Sequence, residues 1–269
     1  MLRFTGTCNE VDFATATRSA DFWYHSFYFD NGFEIRGDYE IGLDVDTYGF
    51  SSDLSGLRVL DIGSASGWFS FFFEQLGAEV TAVDLRSETD MDTFGRFLPP
   101  TDVAAGWMES FDVMSKLLGS NVNRVRARAY DVSPDLFGGI EFDLVFMGAI
   151  LLHLRDPIGA LMSARSVCRD RLMATNWFLP QEESVETDSR QDVRGGVEHP
   201  VADLPALGEQ ESGRRAWWRP NRAAYALWFR AAGFGTVDVS RTVTLTADVV
   251  TPDHYNSTQT LLLADARVR

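Results

Sequence analysis

Arg58-Val-Leu-Asp-Ile-Gly-Ser-Ala-Ser-Gly-Trp68 is the stretch on which the reading of this chain turns. Val59, Leu60 and Ile62 form a short apolar run that stops at Gly63, and Trp68 to Leu76 follows as an apolar segment of helical length. The order is therefore buried strand, tight turn, helix. Glycines at 63 and 67 admit backbone conformations closed to other residues and let a ligand come close to the main chain. Asp61 falls at the carboxyl end of the strand, the edge at which open α/β sheets hold ligands. A second apolar run, Ala78-Glu-Val-Thr-Ala-Val-Asp84, also ends in an acid. An acid about twenty residues beyond a glycine turn is placed to take the hydroxyls of a ribose.

The glycine spacing selects among nucleotides. A dinucleotide requires G-x-G-x-x-G so that the helix start can hold a pyrophosphate, whereas this turn reads Asp-x-Gly-x-x-x-Gly. The acid ahead of the first glycine repels pyrophosphate and suits a cationic ligand with an amino group, such as the methionine end of S-adenosylmethionine. Here the chain resembles the class I S-adenosylmethionine-dependent methyltransferases, whose first motif has the form (V/I)-L-D-x-G-x-x-x-G and whose second strand ends in a ribose-binding acid. The resemblance implies a Rossmann-like, doubly wound α/β sheet of seven strands with an antiparallel last strand and helices on both faces. It implies S-adenosylmethionine as cofactor, with contacts at Asp61, Gly63, Ser64, Gly67, Trp68 and Phe69, at Asp84 and Leu85, at Asp131 and Val132, and at Met147 and Gly148.

Composition narrows the partners. A chain of 269 residues with 45% hydrophobic content can bury one large core, and a single domain is expected. A net charge of −15, with Lys116 the one lysine beside 23 arginines, argues against a phosphate-tracking surface and so against nucleic acid as partner. Cys8 and Cys168 are far apart and lack metal-ligand spacing, so no metal site is expected and a reduced, cytoplasmic protein is the default. The start, Met1-Leu-Arg-Phe-Thr-Gly, has no apolar signal core, and no run approaches eighteen apolar residues, so no membrane contact is expected. The sequence is silent on oligomeric state.

Four stretches follow from the chain order. Residues 1–50 read as an N-terminal extension or lid, rich in aromatics from Phe13 to Phe29; Asn31-Gly32 signals a turn into a hairpin, and 39–49 reads as a helix. Residues 51–179 form the cofactor-binding core. Within it Asp102 to Leu118 reads as a helix with Trp107, Phe111, Met114 and Leu118 on one face, after a loop containing Pro99-Pro100. Val122 to Ala129 reads as a third strand, Ile140 to Met147 as a fourth, Pro157 to Val167 as a helix capped by Asp156, and Leu172 to Phe178 as a fifth strand. Residues 180–220 are acidic and aperiodic over most of their length and read as a cap over a substrate pocket. Residues 221–269 give a helix capped by Asn221, with Ala224, Leu227, Trp228 and Ala231 as its apolar stripe, and two strands pairing as an antiparallel hairpin at the sheet edge.

Three segments together resemble a narrower group, the methyltransferase-fold enzymes related to tRNA wobble-uridine carboxymethyltransferase. They are His25-Ser-Phe with Gly37, the run from Phe142-Asp-Leu-Val-Phe to Leu-Leu-His153-Leu-Arg-Asp-Pro157, and the run from Trp218-Arg-Pro-Asn-Arg-Ala-Ala-Tyr225 to Ala-Gly-Phe234. The tRNA enzymes carry a tyrosine where this chain has Leu152, and their carboxylated cofactor needs a cationic or phenolic partner, for which Arg36 is the substitute within this sequence. Methyl transfer is an in-line displacement that depends above all on alignment, with a base needed only for a tightly held acceptor proton. His153, just after the fourth strand, is the first candidate base and His25 the second; His199 and His254 read as surface residues. Tyr24, Tyr28, Trp177, Trp217, Trp218 and Arg219 are candidates for contact with the acceptor. The sequence thus points to methylation of a small molecule, such as a natural-product intermediate. RNA modification and a non-catalytic cofactor-binding role remain as alternatives.

Overall fold

The computed structural model describes residues 3–5, 13–15, 18, 20, 22–92, 101–179, 200, 202–203, 216–247 and 258–269, with the backbone alone at 88, 101–107 and 203. Cys8, Pro99-Pro100, His199, His254 and most of the acidic cap expected over 180–220 lie outside the described residues, as do the side chains of Asp102 and Trp107.

The strands and helices within 58–75 and 142–167, which carry the glycine turn and the loop after the fourth strand, form where the apolar pattern places them. The strands are β1 (Phe27–Tyr28), β2 (Glu34–Ile35), β3 (Tyr39–Glu40), β4 (Arg58–Ile62), β5 (Glu79–Asp84), β6 (Asn123–Arg126), β7 (Phe142–Met147), β8 (Cys168–Asn176), β9 (Ala202–Asp203), β10 (Arg219–Pro220), β11 (Thr236–Ala247) and β12 (Gln259–Arg267). The helices are α1 (Trp68–Gln75), α2 (Thr101–Leu118), α3 (Pro157–Val167) and α4 (Arg222–Ala231). Eight strands make one sheet in the order β3-β11-β12-β8-β7-β4-β5-β6. Strands β6, β5, β4, β7 and β8 are mutually parallel, and β12 runs antiparallel to both β8 and β11. The strand order reverses between β4 and β7, so a crevice opens at their carboxyl ends.

Burial explains these elements better than propensity does. α1 reads WFSFFFEQ, has no side-chain cap bond, and buries Trp68 through Phe73. Such an aromatic run is a mediocre helix former and is held by packing on all sides. Phe69 and Phe73 meet Phe146 of β7, and Phe71 meets Phe111 of α2. Trp68 meets Phe4 from the N-terminal segment. Full burial of each such side chain contributes roughly 1.5–3 kcal/mol. α3 and α4 are capped as their sequences indicate: Asp156 Oδ1 accepts from Gly159 N at 2.8 Å, and Asn221 Oδ1 from Ala224 N at 2.9 Å.

Four expectations are corrected. Residues 39–49 do not form a helix: Tyr39–Glu40 pairs with Thr246 and Ala247 on the edge of the sheet, and only Val45–Tyr48 turns, as a 3-10 segment. Glu40 Oε1 accepts from Gly42 N, a local bond that competes with helix formation. This short strand is the eighth of a sheet expected to have seven. The final hairpin does form, but its last strand lies inside the sheet, between β8 and β11. The third strand stops at Arg126, and Ala129–Asp131 is a 3-10 turn. Finally, the buried stripe of α4 is Ala224, Tyr225, Trp228 and Phe229, while Leu227 is 47% exposed, so the face is rotated by about one residue from the pattern read in the sequence.

Candidate active site

The turn after β4 is built around two acids. Asp61, at its end, is 2% exposed, and its Oδ2 accepts from Ser70 Oγ of α1 at 2.6 Å. Burial pushes its carboxyl up to about 7, opposed by the Ser70 bond and reinforced by the neighbouring charge of Asp84. Asp84, at the end of β5, is also buried, and burial raises its carboxyl too. Its two oxygens accept from the backbone, Oδ2 from Ala65 N at 2.7 Å and Oδ1 from Leu85 N at 2.7 Å, and Arg124 and Arg126 add a weaker pull downward. The second acid thus ties the glycine turn to the end of the adjacent strand.

Backbone geometry at the turn answers why glycine stands where it does. Gly63 has φ 83°, and a Cβ there would lie 2.6 Å from Ile150 Cδ1 on the loop after β7. Gly67 has φ 86°, and a Cβ would lie 2.5 Å from Phe71 and 2.6 Å from Phe111, both rigid ring atoms. Among the described residues, two that are not glycine share the left-handed region, Ala65 at φ 47° and Ala149 at φ 48°, each at a cost of about 1–2 kcal/mol. Both line one cavity. Such outliers concentrate where function demands a particular backbone, and nothing in the sequence marks these two alanines.

That cavity lies at the carboxyl edge of β4 and β7. Asp61, Gly63, Ser64 and Ala65 form one wall, Gly148, Ala149 and Thr175 another, and Phe69 and Phe146 the base. Tyr24, His25, Ile41 and Tyr48 from the N-terminal segment close it, with Leu245 and Leu261. Thr175 Oγ1 accepts from Ala149 N at 2.9 Å and holds the strained loop. Ser64 Oγ is buried and has no hydrogen-bond partner among the described residues, an expense normally met by a ligand or water. Tyr48, Thr175, Ser70 and Ser66 were not singled out from the sequence. They lie far from the motif or are common residue types in unremarkable spacing.

The two candidate bases occupy different environments. His25 is buried beside the cavity, with Nδ1 3.2 Å from Ser66 Oγ, and burial drives its imidazole down to about 3, so it stays neutral. Gly37, which accompanies His25 in the first of the three segments, packs its backbone on that of His25 and donates to Ser26 Oγ at 2.9 Å. His153 sits exposed on the 3-10 turn Leu151–His153, its N–H donating to Ile150 O at 2.9 Å, and is not among the cavity residues. Of the acceptor candidates, Tyr24 lines the cavity, and burial with nearby Tyr39 and Asp38 raises its phenol. Tyr28 lies under the Arg36 guanidinium, at 5.1 Å. Trp177 Nε1 donates to Gln259 Oε1, while Trp217 and Trp218 pack on residues 152–155 and Arg219 pairs in β10 with Asp203. The structure does not bring these five to the cavity.

Cofactor candidates divide similarly. Asp61, Gly63, Ser64, Phe69 and Gly148 line the cavity, and Asp84 and Leu85 adjoin it through Ala65. Gly67 and Trp68 support the turn from behind, and Met147 and Val132 are buried in the opposite core. Asp131 is exposed, with Oδ2 3.3 Å from Arg128 N, closing its own turn. Among the described residues no group of His, Cys, Asp and Glu could hold a metal ion. No helix among them is long and apolar enough to cross a membrane.

Comparison with known proteins agrees with this geometry. No family profile matches the chain. Among solved structures, the N-terminal domain of EvdMO1, crystallised with S-adenosylhomocysteine and D-fucose, aligns over 97% of this chain and 98% of that domain, with TM-score 0.61 and 15% identity. Magnesium protoporphyrin IX methyltransferase (ChlM) from Synechocystis PCC 6803, with S-adenosylhomocysteine, aligns over 81% of this chain and 77% of that one, with TM-score 0.50 and 17% identity. The chain has the class I methyltransferase fold. Among curated proteins, tRNA U34 carboxymethyltransferase of Pseudomonas fluorescens (strain Pf0-1) is 27% identical over 196 residues, which is 71% of this chain and 50% of that protein. The chain therefore spans about half the length of the curated relative it matches.

Proposed function

We propose that this chain is an S-adenosylmethionine-dependent methyltransferase that acts on a small-molecule acceptor. The observation that carries the reading is the pair of buried acids at the ends of adjacent strands, Asp61 lining a cavity at the point where strand order reverses and Asp84 adjoining it through Ala65. The residues present fit the cofactor. Asp61, on an apolar cavity and bonded to a serine hydroxyl, is the natural partner of an ammonium group, and the lone pairs left on Asp84 suit ribose hydroxyls. Ser64 Oγ needs a partner that a polar ligand would supply.

S-adenosylmethionine, when bound, supplies a methyl group activated by its sulfonium. The chain's own contribution is alignment and exclusion of water. Asp61 and Asp84 orient the two ends of the cofactor, while Phe69, Phe146 and Tyr48 give the cavity dry walls. His25, held neutral and braced by Ser66, offers its remaining ring nitrogen, Nε2, to an acceptor hydroxyl as a positioning partner. It carries no charge at ordinary pH. Cytoplasmic placement rests on the low cysteine content, with Cys168 buried and free.

The relative acting on tRNA favours a second reading, RNA modification with a carboxylated cofactor. Against it, no lysine or arginine is among the described residues that line the cavity, and Arg36 pairs with Glu34 at 3.1 Å outside it. Arg124 and Arg126 share Asp112 and Arg128 pairs with Asp92, which offsets two of the three charges in the row of arginines at and just beyond β6. Incubation with methyl-labelled S-adenosylmethionine, and in a parallel arm with its carboxylated form labelled at the same carbon, with separate pools of uncharged hydroxylated small molecules and unmodified tRNA, tests the proposal. Label in a small molecule supports it. Label in tRNA alone overturns the acceptor class, and cofactor binding without turnover on any acceptor favours a non-catalytic role.

A further inference from the structure

We propose that Asp92 is a positioning residue that latches together the loops around the cofactor site; the proposal rests on the methyltransferase reading above. Asp92 lies beyond Asp84, on the loop that follows β5, and its side chain is 5% exposed. A carboxylate this buried is costly unless several donors meet it. Here they come from two other loops. Arg128 Nη2, after β6, donates to Oδ1 at 2.9 Å, and Tyr130 OH donates to Oδ2. Arg155 N, after β7, donates to Oδ2 at 2.7 Å.

The latch continues past these bonds. Tyr130 OH also accepts from Asp156 N at 3.1 Å, which ties the loops after β6 and β7 directly. Trp217 closes a fourth side, its Nε1 donating to Asp92 O at 3.2 Å and its N–H to Leu152 O at 2.6 Å. The Arg155 guanidinium lies 5.3 Å from the centre of the Trp217 ring, and Trp218 Nε1 donates to Arg155 O at 2.9 Å. The loop held in this way, after β7, begins with Gly148 and Ala149 in the cavity wall and Ile150 against Gly63. One carboxylate therefore sets the ribose-acid loop and the methyl-side loop in register. Packing alone does not require a charge at this position; apolar residues would fill it without the desolvation cost.

Two arms test the latch in the full chain. Hydrogen exchange of Asp92→Ala, and of Tyr130→Phe as a variant that keeps the ring, is expected to accelerate at the amides of 150–156 and 217–218. Calorimetric titration with S-adenosylmethionine, well below melting, is expected to show about tenfold weaker binding in Asp92→Ala. Asp92→Asn, which keeps an accepting oxygen for Tyr130 and Arg155, should recover most of that loss. Unchanged affinity in folded Asp92→Ala and Tyr130→Phe overturns the proposal, even with a lowered melting temperature, because a merely structural role has only that effect. If the wild-type chain does not bind the cofactor, the methyltransferase reading fails; faster exchange confined to these loops then upholds the latch, and unchanged exchange sinks it.

Discussion

The two faces of the central sheet are packed from different materials. On one, β4, β7 and β8 present Val59, Phe146 and Met173 to α1, α2 and the N-terminal segment, in a core crowded with Phe4, Phe27, Phe29, Tyr48, Trp68, Phe69, Phe71, Phe72, Phe73 and Phe111. On the other, Leu60, Ile62, Val145 and Leu172 meet α3 and α4 through Ala160, Leu161, Ala164, Val167 and Phe229. The candidate site opens on the aromatic face. On the opposite face Ala160 and Ala164 let α3 approach the sheet closely, and the aromatics of α4 fill the space beside it. Rings meeting at angles, such as Phe69 and Phe146 with centroids 4.5 Å apart, make stiff walls that can border a cavity without collapsing into it. One face supplies rigidity and the other supplies the site.

Truncation distinguishes them most strongly. Phe146→Ala, on the cavity floor, is expected to lose about 3–5 kcal/mol of stability in urea unfolding and to abolish cofactor binding as the walls relax. Leu172→Ala, at a fully buried position on the aliphatic face, is expected to cost about 2–5 kcal/mol and leave binding by the folded fraction unchanged. Equal effects of the two on binding would erase the distinction. Gly67→Ala comes next, at about 3 kcal/mol, since it combines a left-handed backbone with a clash against two rings that have nowhere to go.

A third effect depends on pH. The carboxyl of Asp61 is raised by burial to about 7 in the folded chain, above its unfolded value, so the folded state holds the proton more tightly. Stability from this group is complete below the unfolded value of about 4 and is lost as pH rises through about 7. His25 has the opposite sign: its imidazole is depressed to about 3, so its contribution is present above the unfolded value and is lost as pH falls through about 3. Thermal melts of Asp61→Asn across this range should show a flatter decline toward neutral pH than the wild type. The smallest effect is expected at Ser64. Ser64→Ala removes a buried hydroxyl without a partner, so stability should hold within about 1 kcal/mol while cofactor affinity falls. A large loss of stability instead would show that the hydroxyl serves the fold.

Much of this architecture was legible because it depends on local chemistry. The run 58–68 has one sensible reading, and the caps at Asp156 and Asn221 form as their sequence positions require. Residues 39–49 misled because Ile41, Val45 and Tyr48 have helical spacing, yet the segment is buried through long-range pairing that no local pattern records, with Tyr39 paired to Ala247 and Glu40 to Thr246. The site followed the same division. Asp61 and Asp84 were visible from strand ends and spacing. Tyr48 and Thr175, and the strained Ala65 and Ala149, depend on where distant elements meet. Sequence shows that His153 follows the fourth strand, and not that the 3-10 turn carrying it leaves it exposed.

Proton-linked calorimetry asks whether the buried acids of the aromatic face hold a cationic cofactor. Ligand-free protein would be titrated with S-adenosylmethionine near pH 6, below the value of about 7 for Asp61, in two buffers of different ionisation enthalpy. Saturable binding with release of a proton is expected, because a cation beside Asp61 drives its carboxyl to ionise. That release should be lost in Asp61→Asn, and affinity in Asp84→Ala, if the two acids hold the cofactor. Folded protein that does not bind, or that binds without proton release and equally well in both variants, would show that they do not.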